Sequence, residues 1–286
     1  LEVTRYVGYL KELSLSRKQI RRNVVSKEMK DTKEVGKSRT KIHVGDIFDT
    51  NNCGKLVVLE YENASNLKVK FIDTAYETTT RANQLRKGEV KDRSLPSVYG
   101  VGIIGNGITR VCGVETKDHQ LWNSMLRRCY DEKYSNKYPT YKDCEVSDNF
   151  KYFPYFKDWC SKQTGFGKEG WQLDKDILVK GNKVYSEDVC AFVPSEVNRL
   201  FIKRDSLRGD LPIGVRYYKK VRKYAAQMSR FKKAIHLGYF YTPDEAFNAY
   251  KEAKEAYIKE VANKWKDQID PRVYEALMKY RVEITD

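Results

Sequence analysis

Apolar residues recur at steps of three and four in two places along this chain, the spacing of a helix with one buried face. Trp122, Met125, Leu126 and Cys129 mark the first stretch, and Ala246, Ala249, Tyr250, Ala253, Tyr257 and Val261 mark the second. The second also has a strong start. Thr242 stands as N-cap, Pro243 at the first helical position, and Asp244 and Glu245 in the first turn, where the helix dipole favours acids. Just upstream, Ile213–Lys219, Lys223–Phe231 and His236–Thr242 are short runs of aromatic, β-branched and long side chains, which predicts three strands. Gly238 inside the third suits a bulge or a close backbone approach. Val57–Tyr61 and Leu67–Ile72 predict two more strands, joined by the turn composition Glu62-Asn63-Ala64-Ser65-Asn66. Phe153, Phe156 and Trp159 read as core.

These elements divide the chain into five stretches. A basic arm with a helix near 9–30 occupies 1–41. Residues 42–110 carry short strands punctuated by Gly45, Gly54, Gly88 and Gly100, a pattern that predicts a small SH3-like β-barrel. A central segment of mixed elements covers 115–205. The three strands and their helix cover 211–265, and 266–286 holds a last helix, roughly Pro271–Arg281. The fold class is α+β and multi-domain, which a length of 286 residues accommodates. No internal repeat is visible.

Charge narrows the partner. With 54 Lys and Arg against 39 Asp and Glu, the formal net charge is +15. That balance favours a polyanion, and the density of both signs fits a folded basic protein rather than a basic tail. The 21 tyrosines interleave with cations, an arrangement that suits stacking and phosphate contact, although most of them equally suit small cores. No run approaches the ~20 apolar residues that span a bilayer, so no membrane partner is expected. Nor is there an apolar signal-peptide core near the start. The first residue is Leu1 rather than Met, which reads as a start inside a longer chain. The six cysteines form no CxxC pair, so no zinc is expected. They fit buried thiols in a reducing compartment, hence a cytoplasmic, nucleoid-associated protein. Oligomeric state is not legible.

The order Gly214-Val215-Arg216, Lys223-Tyr224-Ala225-Ala226-Gln227-Met228, His236-Leu237-Gly238-Tyr239-Phe240 and Thr242-Pro243-Asp244-Glu245-Ala246 resembles an AP2 DNA-binding domain. The resemblance implies three antiparallel strands lying on a groove of double-stranded DNA, backed by one helix. Arg216, Tyr218, Arg222, Gln227 and Arg230 would form the front of that sheet, a set of cations, amides and rings suited to phosphates and base edges. Tyr224 joins them as a DNA-binding candidate. It stands where the family has Trp, Gln227 where it has an acid, and Tyr218 where it has a second Arg, so base specificity does not carry over. The alternative is a small domain with a solvated basic face.

In the central segment, Leu121-Trp122-Asn123-Ser124-Met125-Leu126-Arg127-Arg128-Cys129-Tyr130 and Tyr141-Lys142-Asp143-Cys144-Glu145-Val146 lead to Leu173-Asp174-Lys175-Asp176-Ile177-Leu178. Gly181-Asn182-Lys183-Val184-Tyr185-Ser186 and Phe192-Val193-Pro194-Ser195-Glu196-Val197-Asn198 close it. This order resembles the HNH (His-Me finger) endonucleases of phages and mobile introns, which often carry an AP2 domain. Residues 88–102 are similar to a β module found ahead of nuclease cores in phage proteins. The resemblance implies a ββα core: residues 171–176 as strand one, Lys183–Val193 as strand two, and a helix from Ser195, its N-cap, to Phe201. It implies Asp174 and Asn198 as metal ligands, with Asp176 as a further carboxylate. Oxygen donors favour Mg²⁺ or Mn²⁺, which would stabilise the phosphate and the leaving oxygen. The family's catalytic His is replaced by Lys175, which leaves three readings. Lys175 acts as base or phosphate holder, His119 supplies the base, or the site has decayed. Asp174 and Asp176 also suit a solvated ion pair around Lys175, and Asn198 a loop hydrogen bond. The implied function is a phage-type homing endonuclease hydrolysing phosphodiester bonds. The alternative is a catalytically inactive DNA-binding protein, a regulator or architectural factor on a degenerate HNH fold.

Overall fold

The computed structural model describes residues 41–202, 210–230, 233–284 and 286. The arm helix expected near 9–30 lies outside the described residues. The described residues form two compact units, one running to Lys142 and taking in Val146–Lys157, the other of Asp143–Glu145 with the described residues from Asp158 onward. Helices and strands are mixed in both, as an α+β reading requires.

The first unit opens with a meander of β1 (Ile47–Asp49), β2 (Lys55–Asn63), β3 (Asn66–Phe71) and β4 (Glu77–Thr80), hydrogen-bonded in that order. Alternate side chains of β2 and β3 point inward: Leu56 and Val58, then Leu67, Val69 and Phe71, all buried. Phe48, Ala82 and Leu85 complete this one-sided core. Between them, Lys68 and Lys70 face out and pair with Glu77. The expected barrel does not form. The sheet stays open, with β1 and β4 as its edges, because only one of its faces is apolar and a short helix, α1 (Ala82–Arg86), covers that face through Leu85. The stretch that would supply a fifth strand turns instead, with Tyr99 and Gly100 at φ 50° and 74° and only a bridge between Val98 and Gly102.

Helix α2 (Lys117–Tyr130) buries Trp122, Met125 and Leu126, as their spacing predicts. Gly102 lies so close that a Cβ there would stand 2.5 Å from the Leu126 Cδ1 methyl. Trp122 Nε1 donates to the Phe150 carbonyl at 2.7 Å, so the buried indole is satisfied. A short helix, α3 (Glu132–Lys137), follows with Asp131 as N-cap, accepting from the Lys133 and Tyr134 amides.

In the second unit, β5 (Trp171–Asp174) pairs antiparallel with β6 (Ala191–Pro194), and α4 (Ser195–Asn198) continues directly as a single 3₁₀ turn to Phe201. The second strand is shorter than expected. Cys190 N–H donates to the Ser186 carbonyl at 3.0 Å, closing a turn that splits Lys183–Val193 into Val184–Tyr185 and β6. Ser195 is not the cap either. Pro194 holds the cap position, and Ser195 Oγ accepts instead from Arg199 Nη2 at 2.8 Å.

The strands β7 (Val215–Tyr218), β8 (Lys223–Arg230) and β9 (Lys233–Phe240) form an antiparallel sheet with β8 central. Helix α5 (Pro243–Trp265) packs on it, opened by the full capping box of Thr242 and Glu245. Ala246, Tyr250, Tyr257 and Val261 of the expected stripe are buried, together with Phe247, Ile258 and Ala262. Gly214 permits this approach: a Cβ there would lie 2.1 Å from the Tyr250 ring, and its φ of 76° disfavours other residues. A last helix, α6 (Pro271–Lys279), adds Val273 and Leu277. Ala191, Val193, Val197 and Leu200 share one continuous core with Val215, Ala226, Met228 and these helices. The β5–β6–α4 element and the three-stranded sheet are thus built on the same hydrophobic cluster. Among the described residues no helix is long and apolar enough to cross a membrane.

Candidate functional site

Side chains alternate across a strand, so residue parity decides which face of the three-stranded sheet each one occupies. On β8, Ala226 and Met228 are buried against α5, and Tyr224 and Arg230 share their parity. Arg230 Nη2 donates to both carboxylate oxygens of Glu260 at 2.7 and 2.6 Å, and its guanidinium lies over the Tyr257 ring. Tyr224 packs on the same core and meets the Tyr217 ring at 5.1 Å. Tyr224 and Arg230 are therefore helix-side residues and do not belong to the front expected of them.

The opposite face carries Arg216 and Tyr218 from β7 and Gln227 from β8, as expected. Register adds Lys223, which pairs with Tyr218, Tyr239, which pairs with Ala225, and His236, which pairs with Gln227. A bulge brings the last two together. The register shifts between Ala226 and Gln227, Leu237 is the extra residue, and Gly238 takes φ 141°. In a regular strand residues three apart face opposite ways. Here His236 and Tyr239 stand on one face with ring centroids 4.5 Å apart, and Tyr218 meets Tyr239 at 5.7 Å. Tyr218 and Tyr239 are 40% and 45% exposed. Arg222 sits outside the strands, in the turn before β8, exposed and at φ 51°. Eight Lys and Arg and no carboxylate occur between Asp210 and Asp244, so the sheet carries cationic charge with no acid of its own to neutralise it.

In the β5–β6–α4 element, Asp174 and Gln172 share a face of β5, and Asn198 Nδ2 donates to Gln172 Oε1 at 2.5 Å. Gln172, not anticipated from sequence, thus links Asn198 to the face that bears Asp174. Asp174 Oδ1 accepts the amides of Asp176 and Ile177, each at 2.8 Å. Burial raises the pKa of its carboxyl, against the pull of those two amides. Lys175 points inward. It is 6% exposed, and its Nζ donates to the Asn182 carbonyl at 2.8 Å and to Asp176. Asn182 answers by donating to the Lys175 carbonyl at 2.8 Å, so lysine and asparagine close the loop between them. An amine committed in this way is not placed as a base or as a phosphate holder, and Asp176 is engaged by it.

His119 belongs to the first unit. Its Nδ1 lies 2.5 Å from Glu115 Oε1, its ring stands edge-on to Phe153 at 5.1 Å, and buried Nε2 has no hydrogen-bond partner among the described residues. Among the described residues no three His, Cys, Asp or Glu side chains gather as a metal site. An ion at this element would be held by the second carboxylate oxygen of Asp174 and the amide oxygen of Asn198. Two oxygen donors fit a Mg²⁺-like ion that keeps most of its water; they do not fit zinc. No protein-family model, curated protein or solved structure matches this chain.

Proposed function

We propose that this protein binds double-stranded DNA through the uncovered face of its C-terminal sheet, as an AP2-like module. One observation carries the reading. The sheet buries one face on its own helix and leaves the other with Arg216, Tyr218, Lys223, Gln227, His236 and Tyr239, with no acid in any of its strands. Cations on such a face supply phosphate attraction, while Arg and Gln supply the paired hydrogen bonds that read purine edges. The rings give the face stiff, flat area between them. B-form DNA suits a sheet of this kind better than duplex RNA, whose major groove is too narrow for side chains to read. The test is a gel shift on duplex DNA across a salt series. Arg216→Ala should weaken binding about tenfold and make the log–log salt slope shallower by about 0.9, the contribution of one phosphate. An unchanged affinity and slope would refute the assignment of Arg216 to the interface.

A second reading is favoured by the bond from Asn198 to Gln172, which shares a face of β5 with Asp174: HNH-like hydrolysis of the bound DNA, as in a phage-type homing endonuclease. Asp174 and Asn198 would hold Mg²⁺ or Mn²⁺, which supplies charge stabilisation of the phosphate when bound. Gln172 would orient the Asn198 amide. Lys175, which stands where the family has its catalytic His, is buried and committed to Asn182 and Asp176, and for that reason binding is the leading reading. Supercoiled plasmid incubated with either metal decides between them. Nicking that disappears in both Asp174→Ala and Asn198→Ala supports hydrolysis, and intact plasmid under both metals leaves a DNA-binding protein.

A further inference from the structure

The sheet does not account for a second concentration of rings and cations, which lies in the first unit around α3. Tyr134 and Tyr138 lie one helical turn apart with ring centroids at 4.7 Å, and Tyr141 meets Tyr134 at 5.9 Å. Each ring carries a cation of its own: Arg127 over Tyr134 at 5.0 Å, Arg128 over Tyr141 at 5.5 Å and Lys137 over Tyr138 at 5.4 Å. These contacts fix the rings in place. Tyr138 is 41% exposed, and Lys133, Lys137 and Lys142 are exposed around it. The carboxylate at the centre, Asp131, is used internally, as N-cap of α3 and as partner of Arg127 at 3.5 Å. What remains outward is three lysines against the exposed carboxylates of Glu132 and Asp143, a net positive charge around a preset aromatic surface.

We propose that this surface binds a single strand of nucleic acid, stacking an unpaired base on Tyr138 as the Lys137 ammonium moves off that ring to a flanking phosphate, with Lys133 and Lys142 meeting the neighbouring phosphates. Single-strand binders combine these two features, a cationic track and exposed rings. A duplex cannot use the rings, because its bases are already stacked on one another. An acidic peptide would use the charges and leave the rings idle. The strand is therefore the occupant that engages every feature. The inference goes beyond the duplex reading and does not depend on it, since neither Tyr138 nor its lysines lie on the sheet.

Fluorescence polarisation of the full chain with labelled oligothymidylate and, separately, with a labelled duplex tests this. Tyr138→Ala should weaken oligothymidylate binding about fivefold to a hundredfold, the range for loss of one base–aromatic stack, and leave the duplex isotherm unchanged. Tyr138→Phe, which keeps the ring and loses only the hydroxyl, should bind oligothymidylate within about twofold of wild type on the same stacking argument. Four results would overturn the proposal: no single-strand binding by the wild type, an unaffected Tyr138→Ala, a loss in Tyr138→Phe equal to that in Tyr138→Ala, or displacement of the strand by polyglutamate at equal charge. The last would mark an acidic-peptide site. Failure of the duplex isotherm alone would fall on the sheet reading and leave this one standing.

Discussion

Asp174 occupies a place that its own burial opposes. Desolvation raises its pKa, while two amide donors favour the ionised form without cancelling the effect. A carboxyl whose pKa is raised in the fold favours the protonated form there. Stability accordingly falls as pH climbs from the unfolded value near 3.8 through the folded one, and the cost is complete above it. Asn keeps an acceptor for the Asp176 and Ile177 amides and drops the charge. Asp174→Asn should thus melt higher than wild type at pH 7, by roughly two to four degrees per kcal/mol recovered in a chain of this size, and the gain should vanish near pH 3. Thermal denaturation at the two pH values checks it. A lower melting temperature at pH 7 would make Asp174 a plain loop cap. A higher one would mark a residue held against stability, which is how residues kept for function behave. Parity supplies a second lesson at this scale. Tyr224 and Arg230 cannot share a face with Gln227 on a regular strand, and that much was legible from residue numbers. His236 and Tyr239 were not legible in the same way, because only the bulge at Leu237 and Gly238 puts them together.

Among the elements, the long helix α5 was the most readable. Its capping box, its Pro at the first position and its apolar stripe all act within a few residues, so local chemistry settles them. The open meander and the split second strand of the β5–β6 element were not readable, because closure and strand length depend on partners distant in sequence. Lys254 goes against the pattern of α5. It is half-buried, and burial alone lowers its pKa to about 8. A lysine with a lowered folded pKa is disfavoured in its charged form. The cost is full below about 8 and fades as pH rises toward the ordinary 10.5. Lys254→Met keeps the length of the stem and removes the charge. It should raise stability at pH 7 by on the order of 1–3 kcal/mol, read as a higher urea midpoint, with the difference shrinking at pH 10.5. No difference at pH 7 would show that the amine reaches water along the helix surface.

For the whole molecule, charge is distributed in a way that can be measured. The arm over 1–41 holds twelve Lys and Arg and five Asp and Glu, so it carries +7 of the net +15. The stretch between Asp210 and Asp244 adds eight cations with no acid. If both lie along phosphates, each releases condensed counterions on binding, and each release adds about 0.9 to the steepness of the log–log salt dependence. The terms count phosphates, so they add even where free energies do not. Removing residues 1–41 should then make the salt slope shallower by several units while the further effect of Arg216→Ala, about 0.9, persists undiminished. Duplex titrations between about 50 and 200 mM salt, where such slopes are steep, resolve the two contributions in one series for four proteins: the full chain, the truncated chain, and each with Arg216→Ala. A slope unchanged by truncation would confine phosphate contact to the folded units. An Arg216 effect that disappeared with the arm would mean that the sheet reaches DNA only when the arm has first brought it there.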